Sequence, residues 1–325
     1  SLKRARDSAK AVKCAANLKG VGTAIATYLA ETQGVFTPSY VYPIAAAGTW
    51  WWGSGGQDPL KRFGYLHWSY FLFSDGKVKD EVFQCPSMQN GGAPRTNPGP
   101  DPRHWEAGQV DDTGAIAPSP TSVLDKQATR MAYAANAAIM PRNKVDPILE
   151  GPRQNRLVRE NEVKRQGDTI IATEYFNGWE AISVTSGGDG LLVKGHRPVN
   201  VFYHLGSGFN EYQSPPSTPY FRYGTDQNGD KPQSADDYGL LPASAVKSRV
   251  NIIDFTSNIA KINAVGRHHP GGEARFGGTA NFLFMDTHVS RLTPLQSLER
   301  RLWGAKYYSL EGYNDVPNHN PSNFP

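Results

Sequence analysis

The sequence has little cysteine, methionine or histidine: two, four and eight residues in a chain of 325. Two cysteines are too few for a disulfide scaffold or a zinc ribbon, but enough for one bridge. No apolar run approaches the ~20 residues needed to span a bilayer. Neither a Gly-x-Ser-x-Gly elbow nor a phosphate-cradling glycine loop is present, and neither cysteine has a histidine partner by motif. Nucleophilic catalysis therefore finds little support. A basic body is missing as well. The formal net charge is +4, but the first nineteen residues hold Lys3, Arg4, Arg6, Lys10, Lys13 and Lys19 against one acid, Asp7. That segment is +5, which leaves residues 20–325 at 4 − 5 = −1 and gives the body no general electrostatic footprint for nucleic acid.

What is abundant is glycine and proline, 33 and 24, which favours loops and short strands over a helical bundle. The opening stretch is the exception. Residues 1–32 read as one helix, with Leu2, Ala5, Ala9, Val12, Ala16, Ile25, Tyr28 and Leu29 recurring mostly at three- and four-residue steps. At ~1.5 Å per residue it would extend roughly 48 Å. Gly20 and Gly22 are points of bending or close approach, and Gly34 is the stop. "LHWSYFLF" reads as a short buried helix, and "EVFQC" as a strand ending at Cys85. Pro86 to Pro120, with seven prolines, reads as a surface loop. Short strands are expected at "MAYAANAAIM", "DTIIATEYF", "WEAISVT" and "VNVFYHL". "TANFLFMDTHVSRL" reads as two strands joined at Asp286-Thr287. In "TPLQSLERRLWG", Thr293 is the expected N-cap, Pro294 the first helical residue, and Gln296 the partner in a capping box, with Gly304 as the stop. The fold class is α+β: a long N-terminal helical spine (1–32) packed on a mainly antiparallel β-sheet in a globular body (33–325). Irregular insertions fall near 86–120 and 210–248.

Several of these stretches line up with one family. "RARDSA" and "CAANLK" supply Arg4, Ala5, Arg6, Ala9, Cys14, Asn17, Leu18 and Lys19, followed by Tyr28, Phe36 and Pro38. "VFQCPS" carries Cys85, Pro86 and Ser87; "AYAAN" (132–136) and "DTIIATE" (168–174) lie mid-chain, and "RHHPGG…GGTANFLFMDTHV" closes the series. In this order they resemble bacterial type IV pilin-like proteins, in particular the planctomycete-type prepilin branch with a C-terminal His-x9-Asp-Gly signature. Two departures stand out. His269 lies seventeen positions before Asp286, so about seven residues are inserted, and Thr287 replaces the glycine of the signature. A β-branched residue tolerates positive φ poorly, so a simple type I′ turn is not expected there. The resemblance implies a pilin-like or pseudopilin-like fold, a location at the cell envelope, and about twenty membrane-spanning residues preceding Ser1. It also implies partners of the same kind, met through the N-terminal helix. A Cys14–Cys85 bridge is expected, which an export compartment would permit; the alternative is two buried free thiols.

Other candidate sites compete with plainer explanations. His268, His269, Asp286 and His288 could be a metal site, as a metal-dependent hydrolase would need, or a structural corner in which Asp286 holds a turn with Arg267 or a histidine as partner. His269 and Asp286 are taken as the structural motif. In 225–237, Asp226, Asn228 and Asp230 have the alternating spacing of calcium loops, with Asp236 or Asp237 to close the shell; the plain alternative is a solvated acidic turn. Trp50, Trp51 and Trp52 could form a platform for a glycan, or serve as core and subunit contact. The basic helix either is a solvated flank or faces anionic lipid headgroups. The leading expectation is a structural, non-enzymatic subunit for filament assembly, secretion or surface display. A polysaccharide- or substrate-binding module on the same scaffold comes second.

Overall fold

A computed structural model describes residues 2–41, 64–142, 156–186, 190–204, 221–224, 234–247, 250–254, 259–310 and 314–316. Helix α1 runs unbroken from Leu2 to Glu31. It ends where Gln33 and Gly34 adopt positive φ and the Gly34 N–H donates to Leu29 O at 2.7 Å, satisfying one of the last carbonyls. No helix among the described residues is long and apolar enough to cross a membrane.

The chain is a mixed α/β protein in which this helix packs on sheet. Five strands form the main antiparallel sheet: β1 (Tyr133–Ala135), β2 (Ile170–Glu174), β3 (His269–Glu273), β4 (Gly277–Phe284) and β5 (Val289–Leu292). β4 is its axis. The first part of β4 pairs with β3, its second half lies between β2 and β5, and β1 pairs with β2. The stretch between His269 and Asp286 thus forms the β3–β4 hairpin. Alternation along β4 divides its side chains between two buried faces. Asn281 and Leu283 face α1, while Phe282 packs edge-on against Trp303, with ring centroids 6.2 Å apart. Smaller sheets pair Tyr40–Val41 with Leu66–His67, Tyr203–His204 with Phe221–Arg222, and Leu191–Val193 with both Ser183–Thr185 and, in parallel, Gln109–Val110.

Short helices form where local chemistry starts them. α2 (Trp68–Phe73) begins at His67, whose ring accepts from the Ser69 N–H at 3.2 Å. α3 (Ala243–Lys247) is a single turn and a half. α4 (Pro294–Glu299) has the expected Thr293–Gln296 capping box, and it stops before Gly304.

The helix divides along its length, and three other sequence expectations need correction. The buried stripe of α1 is Ala11, Cys14, Leu18, Val21, Gly22, Ala24, Ile25 and Leu29. Leu2, Ala5, Ala9, Val12 and Ala16 lie on an exposed face, with Leu2 at 69% and Val12 at 66% exposure. Residues 2–10 are exposed apart from the partly buried Asp7, and the face that meets the sheet from Ala11 onward is the core side. "EVFQC" is a 3-10 turn, Asp80–Phe83, leading into Cys85. "WEAISVT" is half 3-10 turn, Trp179–Ile182, and half strand. The proline-rich stretch is partly interior: Thr96 and Asn97 are fully buried, because the Asp125 carboxylate accepts from the Asn97 backbone and side chain.

Candidate functional site

The stretch from Cys14 to Lys19 forms a latch. Cys14, on the inner face of α1, is bonded to Cys85, with Cα atoms 4.8 Å apart. One turn on, Asn17 Nδ2 donates to Gln84 O at 2.8 Å. Leu18 is fully buried, and Lys19 Nζ donates to Thr287 O at 2.7 Å and Thr287 Oγ1 at 2.9 Å. The Tyr133 hydroxyl completes the set, within 3.0 Å of Cys14 O and 3.2 Å of Gln84 O. Burial, then the nearby Glu174, holds the Tyr133 phenol well above its ordinary pKa, which keeps it a donor.

Behind the disulfide lies a fully buried acid. Glu174 closes β2, and its carboxylate oxygens accept from His269 Nε2 at 2.8 Å, Asn281 Nδ2 at 3.0 Å and the Asn281 N–H at 2.7 Å. Asn281 Nδ2 also lies 3.3 Å from Ala11 O, so the network reaches the first buried turn of α1. His268 and His269 pack ring to ring, and their Nε2 atoms stand 3.7 Å and 4.0 Å from the Cys85 sulfur. Burial lowers the His268 pKa to about 4, Glu174 opposing and His269 adding to the shift. Among the described residues, Cys14, Cys85, Glu174 and His269 are the one group of histidine, cysteine and carboxylate ligand atoms gathered tightly enough to hold an ion, all within 4.8 Å of one another.

The histidines and aspartate of the closing motif therefore separate. Asp286 and His288 sit at the β4–β5 turn, half-exposed, where Asp286 Oδ1 takes the His288 N–H at 3.1 Å and ring Nδ1 at 2.6 Å. His288 stacks on Phe284 at 4.2 Å. Burial pushes the Asp286 carboxyl up, but the His288 hydrogen bonds and the charges of His288 and Lys19 outweigh it and hold the group below its usual range. Arg267 is not the partner of Asp286; its guanidinium donates to Leu241 O at 2.5 Å and Asn263 Oδ1 at 2.7 Å. Thr287 takes φ +70 in spite of its β-branch. It follows a turn closed by its own N–H to Phe284 O at 2.9 Å, in a three-residue loop, and Lys19 anchors it from α1.

No family model, curated protein or solved structure matches the chain. A second buried polar cluster lies away from the latch. There Asp125 accepts from the Tyr65 N–H and from Asn97, and burial followed by the Asp112 charge pushes its carboxyl up to about 7. Thr96 Oγ1 donates to Val193 O and lies 2.6 Å from His196 Nδ1, and His196 stacks on Tyr65. These bonds hold the buried loop at 93–99 in place.

Of the calcium candidates, Asp226, Asn228 and Asp230 lie outside the described residues, as do Trp50, Trp51 and Trp52. Asp237 accepts from the Ser234 N–H at 2.8 Å, and Asp236 pairs with Arg275 at 3.2 Å. Sequence reasoning missed Glu174, Asn281 and Tyr133. One signal pointed to Glu174: an acid ending the apolar run "IIAT" is out of place in a buried strand unless it has partners.

Proposed function

We propose that the chain is the globular part of a pilin-like subunit of the cell envelope, with α1 as the spine through which it assembles. One observation carries this reading. The stripe Leu2, Ala5, Ala9, Val12 and Ala16 is apolar, follows helical spacing, and is exposed along its length. From Ala11 on this exposed face runs beside a buried one, the arrangement of a rod held by the body on one side and by neighbours on the other. The exposed side chains of Lys3, Arg4, Arg6, Lys10 and Lys13 flank the stripe, as suits a helix emerging beside anionic headgroups. The pilin-like motifs supply the other support: four of their helix residues, Cys14, Asn17, Leu18 and Lys19, form the latch. The body then presents its loops outward for secretion or display.

Anchoring restores the geometry in which such a helix would work. Chains held through an N-terminal hexahistidine tag on vesicles with a nickel-chelating lipid, and carrying a photo-crosslinker at Val12, should give crosslinked dimers. The same crosslinker at exposed Thr121 should give none. Equal yields at the two positions would remove the support for assembly through α1.

A further inference from the structure

The corner behind the disulfide contains more than a disulfide needs. A bridge between Cys14 and Cys85 requires no buried carboxylate and no imidazole beside it, and burying Glu174 is costly without partners. Yet Glu174 Oε1 and His269 Nε2 meet at 2.8 Å, and His269 Nε2 stands 4.0 Å from the Cys85 sulfur. The four ligand atoms come from four separate places in the fold: α1, the segment after the Asp80–Phe83 turn, β2 and β3. All lie within 4.8 Å of one another. The edges of a zinc tetrahedron built from thiolate, imidazole and carboxylate are roughly 3.3–3.8 Å, so closing this group on an ion needs shifts of an ångström or so.

We propose that the reduced chain binds one Zn2+ ion through Cys14, Cys85, His269 and Glu174, and that this ion and the disulfide are alternative locks between α1 and the sheet. A dithiol reductant gives two electrons and two protons to the S–S bond, which breaks to two thiols while the reductant closes to its own disulfide. Zinc then displaces the two thiol protons, which leave to solvent, and takes His269 through Nε2 and one Glu174 oxygen. In the reverse direction an acceptor disulfide takes two electrons from the zinc-bound thiolates, the Cys14–Cys85 bond forms, the acceptor picks up two protons to become a dithiol, and Zn2+ is expelled. Two thiolates and a carboxylate favour zinc over magnesium or calcium, which prefer all-oxygen shells.

The ring's other nitrogen limits the affinity. His269 Nδ1 is buried and has no hydrogen-bond partner. When zinc occupies Nε2, the ring proton moves to Nδ1 and finds no acceptor, a deficit that in other sites weakens binding by about 10–100-fold. The ion is thus held firmly enough to order a reduced chain and loosely enough to leave on oxidation. A chain that folds before it reaches an oxidising compartment would keep α1 in register through this ion.

The test uses the full chain reduced with a phosphine, freed of metal, and handled without oxygen. Titrated with Zn2+, the reduced chain should bind one ion and raise its melting temperature, while the oxidised chain should bind none at this corner. Co2+ in place of Zn2+ should give thiolate-to-metal charge-transfer bands and the intense visible bands of a tetrahedral site. His269→Ala should weaken binding at least tenfold; His288→Ala, at the surface turn, should leave it unchanged. If the reduced chain unfolds without metal, recovery of its circular dichroism on adding Zn2+ becomes the readout. No zinc uptake by the reduced chain, equal uptake by a Cys14→Ser/Cys85→Ser variant, or a cobalt spectrum without thiolate bands would overturn the proposal.

Discussion

Glu174 has no solvent around it, and the side chains that satisfy it set how the protein responds to acid. His268 lies 4.0 Å from its second oxygen and beside the Cys85 sulfur, and burial holds the ring neutral down to about pH 4. A free imidazole titrates near 6.5, so between those values the unfolded chain binds a proton that the folded chain refuses. The stability that His268 contributes is therefore full above about pH 6.5 and is lost as pH falls through about 4. His67, lowered to about 3 by burial, acts in the same direction over a wider range. Asp125 acts oppositely: its pKa of about 7 means stability that is full below the ordinary carboxylate range and lost as pH rises towards 7. The share of His268 can be isolated. Urea midpoints of the wild type and His268→Gln should diverge between pH 6.5 and pH 4, the wild type losing on the order of 2–3 kcal/mol more. Parallel curves would show that His268 can take up a proton in the folded state.

At the scale of elements, α1 owes its position to close approach as much as to bonding. Gly22 is buried against β4, and a Cβ there would stand 2.7 Å from Leu283 Cδ1. Gly22→Val would insert three carbons where one does not fit. It should lower stability by about 1–3 kcal/mol in a thermal melt, because overpacking outweighs any gain in helix propensity over glycine. An unchanged melt would mean the helix stands further from the sheet than this packing requires. What the sequence revealed about the elements follows the range of each signal. The α4 capping box, the short helix at Trp68–Phe73 and the turn at Asp286-Thr287 were all legible, since each depends on residues within a few positions. Which face of α1 is buried was not. Two apolar stripes run along it, and distant elements packed against it, the strand that carries Leu283 among them, select between them. The fully buried Thr96 and Asn97 were likewise hidden, because proline-rich sequence reads as loop wherever it lies, and the carboxylate that satisfies it is Asp125, far along the chain.

On the scale of the whole molecule, α1 is two structures joined end to end. From Ala11 onward one face of it is core, fixed by the Cys14–Cys85 bond, by Asn17 and Lys19, and by the Glu174 network. Closing that 71-residue separation with a bridge stabilises the fold by about 4 kcal/mol in the chain-entropy model. Before Ala11 every helix residue but the partly buried Asp7 is exposed, and Lys3, Arg4 and Arg6 stand at the end where the helix dipole disfavours positive charge. The candidate site was half legible for a related reason. Cys14, Cys85 and His269 announce themselves by type, whereas Glu174, Asn281 and Tyr133 acquire meaning only when the sheet brings them together. The division of α1 is the claim on which the assembly proposal rests, and removing residues 1–10 tests it most directly. The shortened chain should melt within about 2 °C of the full one, since deleting exposed, unpacked residues leaves the core intact. A fall of ten degrees or more, or failure to fold, would mean that the first turns belong to the core and that the exposed stripe is no free surface.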